Sequence, residues 1–385
     1  LFDNLDSGDE NDPNPKAFRL PSGDYDIPMI LHDVQFDENG QAVWDFFTPS
    51  PEPKDTPADV GNFQGTLDTY FPTRQQYTTN GMIGDMYTVN RIIRPYLDVD
   101  RRKYRFRILN GGPSRLYSLK LLVLPAGGGD PYFDTMWALS NDGNLYERPL
   151  ELDQLDIWVA NRVDAVIDFS KYEAGDRVRL VNVLQSRRDG AGPTGFIIEN
   201  LTDEDGVIEF RPRPGDVEDP SRIPEYMRSL PTINMSEVKR ERLFVFDYDN
   251  GLWTVNGRLM DPNRVDVEIE QGSAEIWTFR STGKSWAHPV HTHFEEFQII
   301  EKNGRPIRDG DVLKARKDVV QLGPMDEVVF FSRWRDFLGK HVMHCHNVVH
   351  EDHAMMIRWD IVPGKKGKKK KKNQRAATGN ESKKG

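Results

Sequence analysis

Short apolar runs separated by turn residues run the length of the chain. Ile27-Pro28-Met29-Ile30-Leu31 begins the series, and Glu38-Asn39-Gly40, Thr79-Asn80-Gly81 and Asn141-Asp142-Gly143 punctuate it. Ala165-Val166-Ile167-Asp168-Phe169 and Arg177-Val178-Arg179-Leu180 alternate apolar with polar positions. Successive side chains of a strand point to opposite faces, so this period predicts half-buried strands in a β-sandwich. The runs are too short and too often broken by Gly and Pro to predict long helices. None approaches the ~18 apolar residues of a membrane span. Gly127-Gly128-Gly129 and Arg188-Asp189-Gly190-Ala191-Gly192 read as hairpin loops, since neither fits a phosphate-binding pattern.

The same pattern occurs twice. Thr88-Val89-Asn90 returns as Thr254-Val255-Asn256, and the block Val163 to Tyr172 returns as Met325 to Trp334, at offsets of 166 and 162 residues. Each second block is followed by a glycine (Gly175, Gly339) and then a strand, Val178 to Asn182 in one copy and Val342 to His346 in the other. Two domains of similar size related by duplication are therefore expected. The first would cover residues 18–212 and the second 241–364, with a linker at 213–240. Residues 1–17 are acidic and rich in Pro and Asn and read as a connector. The stretch 48–78 reads as a long surface loop. Residues 365–385 hold ten Lys or Arg and one Glu; such a segment cannot bury a core and reads as a disordered tail able to touch anionic surfaces.

Composition adds bounds. A length of 385 residues fits two or three domains. The net charge is −10, and without the basic tail it is −19, which argues against nucleic-acid binding by the body. One cysteine leaves no internal disulfide. The chain opens on Leu and shows no export signal, so its natural N-terminus is expected to lie further upstream.

The second copy carries what the first lacks. Seven of the nine histidines fall in two windows, His288-Pro289-Val290-His291-Thr292-His293 and His344-Cys345-His346 through His353, and the second window holds the sole cysteine. A buried cysteine ordinarily serves as a small apolar residue, but this one is flanked by histidines and stands five residues before His350 and ten before Met355. Two His and one Cys with a weak axial Met make a blue-copper centre. Cys345, His288 and His350 thus read as equatorial ligands and Met355 as the axial one. On a strand, Cys345 would face one way and His344 and His346 the other, so one tripeptide would join two metal centres. His291 and His293 share the two-residue spacing. His32 reads as structural, His341 as a surface residue or a neighbour of the ligands, and His353 as able to hydrogen-bond near the metal.

These motifs, H-P-x-H-x-H and H-C-H-x-x-x-H-x-x-x-x-M, resemble the C-terminal copper motifs of the multicopper oxidases. The likeness is greatest to the branch with spore-coat laccase, bilirubin oxidase and phenoxazinone synthase. Tyr25-Asp26-Ile27-Pro28, Tyr104 to Asn110 and His350 to Met356 resemble it too, and the likeness runs to about residue 363. The resemblance implies an all-β fold of two cupredoxin-like Greek-key β-sandwich domains, with metal ligands only in the second. It implies a copper-dependent oxidase that takes electrons at type 1 copper from phenols, aromatic amines or bilin-like small molecules. Dioxygen would be reduced to water at a trinuclear type 2/type 3 cluster. His291 would be a type 2 ligand, and His293, His344 and His346 type 3 ligands. His350 would be the exposed edge that receives electrons, and Glu351 would help deliver protons. It also implies an extracellular, periplasmic or cell-surface location. One departure is large: the family's cluster uses eight histidines and this chain offers four. The other four would come from an absent N-terminal domain or a partner chain. Alternatives are a type 1 copper electron-transfer protein, a fragment that does not hold copper, a metal-ion oxidase and, less favoured, a nitrite reductase.

Overall fold

The computed structural model describes residues 3–43, 80–187, 190, 192–249 and 252–364. The expected surface loop at 48–78 and the Lys-rich tail lie outside them, as does most of the expected hairpin loop at 188–192.

Two β-sandwiches follow one another along the chain, each around its own apolar core. Phe106, Leu119, Leu121, Val166, Phe169 and Phe210 fill the first. Phe246, Trp277, Phe279, Phe330, Trp334 and Trp359 fill the second, in which Cys345 and Met355 are also buried. Aromatic pairs fix the second core: Trp334 meets Trp359 edge-on at 4.5 Å and Phe279 meets Phe330 edge-on at 4.8 Å.

The duplication is visible strand by strand. In the first copy Asp26–Phe36 runs parallel to Lys103–Asn110, which pairs antiparallel with Arg162–Asp168. In the second, Val238–Asp249 runs parallel to Ser273–Ser281, which pairs antiparallel with Glu327–Trp334. The facing sheets match as well. Tyr96–Val99, Gly206–Pro212, Arg177–Asn182 and Tyr117–Leu124 pair in series, as do Val267–Glu270, Met356–Val362, Gly339–Cys345 and His288–Thr292. These crossovers between sheets are the Greek-key character expected from sequence. The repeated Thr-Val-Asn triplets end in a left-handed residue, Asn90 at φ 51° and Asn256 at φ 53°. Each accepts from one backbone N–H (Ile30, Val245) and donates to one carbonyl (Pro28, Leu243), so asparagine here replaces a turn of backbone hydrogen bonding.

Alternation failed as a guide in one strand. Residues 163–167 of Arg162–Asp168 are buried on both faces. On the outer side Asp164 is paired with Arg105, which also holds Asp6 of the acidic N-terminal segment. A strand covered by a charge pair and an arriving segment no longer reads as half-exposed. Gly127 and Gly128 do turn between paired strands, Tyr117–Leu124 and Tyr132–Asp134.

Candidate metal centres

The register of two strands places the ligand-type residues. His291 lies opposite His344, and Val290 opposite Cys345, where His288–Thr292 pairs with Gly339–Cys345. Alternation then sends Cys345 inward and His344 to the other side. After the strand, Asn347 caps a five-residue helix, Val348–Asp352, its side chain accepting from the Val349 N–H. Successive helical residues diverge by about 100°, which separates His350 from Glu351 and aims them at different clusters. The sequence did not predict this helix.

The first cluster is closed. The Sγ of Cys345 lies 3.5 Å from Nδ1 of His350 and 3.6 Å from Nδ1 of His288, and the two Nδ1 atoms are 3.2 Å apart. All three residues are buried, as is Met355, whose carbonyl accepts from the Cys345 N–H and whose N–H donates to the His350 carbonyl. Trp253 stacks on His350 with ring centres 3.9 Å apart. Burial pushes the His288 imidazolium down to about 3 and His350 well below its ordinary range, and pushes the Cys345 thiol up. Neutral donors thus crowd a dry pocket.

His350 itself corrects an expectation. It has no exposed surface and presents no edge to solvent. Its Nε2 lies 2.7 Å from the Asn80 carbonyl, contributed by the first sandwich. A carbonyl only accepts, so Nε2 carries the proton and Nδ1 keeps its lone pair toward Cys345. Asn347 braces this seam, donating to the Asn80 carbonyl at 3.1 Å and accepting from Ser114 Oγ at 2.8 Å. Gly81 and Gly190 cross here so closely that a Cβ on Gly81 would lie 2.3 Å from the Gly190 oxygen.

The second cluster is more open. Nε2 of His293 and Nε2 of His344 are 3.3 Å apart, and the rings of His291 and His346 stand 5.5 Å apart beside them. Nδ1 of His344 is 3.2 Å from a Glu351 carboxylate oxygen. Burial lowers His293 and His346 to about 4, and lowers His291. Burial pushes the Glu351 carboxyl up, but its hydrogen bond with His344 and the nearby imidazoles outweigh this and hold it below the usual range. Among the described residues, the donor groups able to hold an ion are His288, Cys345 and His350 in one set and His344, His346 and Glu351 in the other.

The multicopper oxidase family model matches residues 232–365, the part that carries both clusters. Over 91% of its length the chain is 31% identical to bilirubin oxidase of Albifimbria verrucaria and 27% identical to a laccase of Bacillus subtilis (strain 168). The McoA multicopper oxidase of Aquifex aeolicus superposes with a TM-score of 0.67 at 25% identity, covering 88% of this chain and 66% of McoA.

The chain belongs to the multicopper oxidases.

It spans 55% of that bilirubin oxidase and 65% of that laccase. Membership of the multicopper oxidases implies copper, and the residues present suit it: a thiol and two imidazoles share one dry pocket in the core that also buries Met355, and imidazoles with the Glu351 carboxylate form the other. Sequence reasoning missed Asn80, Asn347 and Trp253. Asn347 had a local signal, an Asn before a short apolar stretch. Asn80 acts through its backbone from 270 residues away, and no side-chain pattern announces that.

Proposed function

We propose that this chain is the C-terminal part of a laccase-like oxidase. It would hold type 1 copper with Cys345, His288, His350 and Met355, and half of a trinuclear cluster with His291, His293, His344 and His346. Copper bound there supplies one-electron transfer at the cysteine centre and reduction of dioxygen to water at the histidine centre. One observation carries this reading: a single tripeptide serves both clusters, Cys345 reaching His288 and His350 while His344 reaches His293. The peptide itself is then the link from one centre to the other.

The chain's own groups have distinct tasks. The Asn80 carbonyl fixes the His350 tautomer, and the buried pocket excludes water from the thiolate. Glu351 holds the Nδ1 proton of His344 and, with 30% of its side chain exposed, can exchange protons with solvent. The reducing substrates would be phenols, aromatic amines or bilin-like small molecules, and the location extracellular, periplasmic or at the cell surface. Residues 18–212 and 241–364 serve as a metal-free and a metal-bearing domain, with 1–17 and 213–240 as connectors. The other four histidines come from a further domain or a partner chain.

Copper stoichiometry and visible absorption of the reconstituted chain test this. About one tightly bound copper with an intense blue band is expected, absent in Cys345→Ser. About four coppers with oxygen uptake would refute the need for further histidines. A colourless, copper-free chain would remove the reading altogether. The competing reading, an electron-transfer protein with type 1 copper only, is favoured by the half-complete second cluster. Dioxygen reduction on adding the missing domain excludes it.

A further inference from the structure

The two sandwiches are joined by a pair of ion pairs that run in opposite senses. Arg162 of the first sandwich grips the carboxylate of Asp318 of the second with two bonds of 2.8 Å. Lys317 of the second lies 3.2 Å from Asp142 of the first, both fully buried. Asp142 also accepts from the Val319 N–H at 3.3 Å. The first sandwich therefore holds residues 317, 318 and 319 in succession.

That strip lies against a cluster histidine. Val319 is the register partner of His291. The Asp318 carbonyl accepts from the Thr292 N–H at 3.0 Å and from Nδ1 of His291 at 2.9 Å. The proton on Nδ1 leaves the lone pair of Nε2 free, and Nδ1 itself is tied away from a metal. Arg162 is in turn fixed by donating to the carbonyls of Ala160 and Asp142, at 3.0 and 3.1 Å. A partly exposed ion pair of this kind contributes little to stability, so its fork geometry points to another role. With the guanidinium absent, the freed carboxylate oxygen, 3.9 Å from Nδ1, would be able to compete with the carbonyl for the ring.

We propose that Arg162 is a positioning residue for His291: by occupying the Asp318 carboxylate it keeps the Nδ1–H of this imidazole on the Asp318 carbonyl, with Nε2 toward the histidine cluster. The metal-free sandwich thereby sets the aim of a ligand on its neighbour. This rests on the reading of His291 as a ligand only for its functional meaning, since the Nδ1–H resonance is measurable without copper.

The test is nitrogen-15 NMR of the histidine side chains in the copper-free full chain. In the wild type, His291 is expected to carry its proton on Nδ1. Arg162→Leu should keep the proton on Nδ1 but move its resonance downfield, as the freed Asp318 carboxylate replaces the carbonyl as acceptor, while His350 keeps its Nε2–H unmoved as an internal reference. Arg162→Lys should restore the His291 resonance position only in part. If Arg162→Leu does not fold, Arg162→Lys carries the test with a smaller shift in the same direction, and Asp318→Asn, which keeps the carbonyl but removes the competing carboxylate, should leave the resonance in place. An unchanged Nδ1–H resonance in a folded Arg162→Leu or Arg162→Lys chain, or a downfield shift as large in Asp318→Asn, overturns the proposal. Absence of a blue band with copper, alongside the expected Nδ1–H shift, would instead sink the oxidase reading and leave this one standing.

Discussion

At the scale of single residues, acid sensitivity is the most direct consequence of the buried histidines. His288 and His350 are held neutral by burial, with their imidazolium forms pushed far below 6.5. Between the ordinary value and the depressed one, the unfolded chain binds protons that the folded chain refuses. Stability is then complete above about pH 6.5 and falls as the pH drops toward 3. Each fully buried histidine contributes a slope of up to about 1.4 kcal/mol per pH unit in that window. The urea midpoint of the copper-free chain should fall steadily from pH 7 to pH 5, and copper should move the fall to lower pH because metal and proton compete for the same nitrogens. A midpoint flat across that range would contradict the burial argument. The clustering of the proposed ligands was legible because such chemistry demands rare residue types at fixed spacing. Asp318, Asn80 and Arg162 were not, since two act through backbone carbonyls and the third through a partner 156 residues away.

Among elements, the repeat was the most legible feature. Thr-Val-Asn recurs because a left-handed turn after that strand needs an asparagine able to bond backbone on both sides. Asn256→Ala would strand the Val245 N–H and Leu243 carbonyl and force alanine into φ 53°. A loss of about 1–3 kcal/mol is expected in chemical denaturation, and Asn90→Ala should cost a similar amount in the other copy. A loss in only one would mean the turns are not equivalent. The short helix Val348–Asp352 was hidden because five residues show no period, yet its rotation parts His350 from Glu351. The Arg162–Asp168 strand was misjudged for another reason. Its outer face is covered by Arg105 and Asp6, and a contact 99 residues long leaves no trace in local alternation.

Across the whole molecule, the seam between sandwiches matters more than either sandwich alone. Asp142 and Lys317 face each other there with no solvent access. Removing Lys317 leaves the buried Asp142 carboxylate with only Arg162, 3.9 Å away, as a countercharge among the described residues, a loss of up to about 3–5 kcal/mol. Lys317→Met should therefore unfold at markedly lower denaturant, whereas Asp142→Asn combined with Lys317→Met should recover part of that loss. If the double variant is no better than the single one, the two charges are not coupled. The seam also carries the Asn80–Gly81 and Gly190 backbones across His350. Neither glycine has room for even one methyl group, and each blocks the other, so no second change at the partner position relieves the first. In a saturation library screened for blue colour, positions 81 and 190 would stand out as two blank columns. They would mark the cover of the proposed copper pocket by genetics alone.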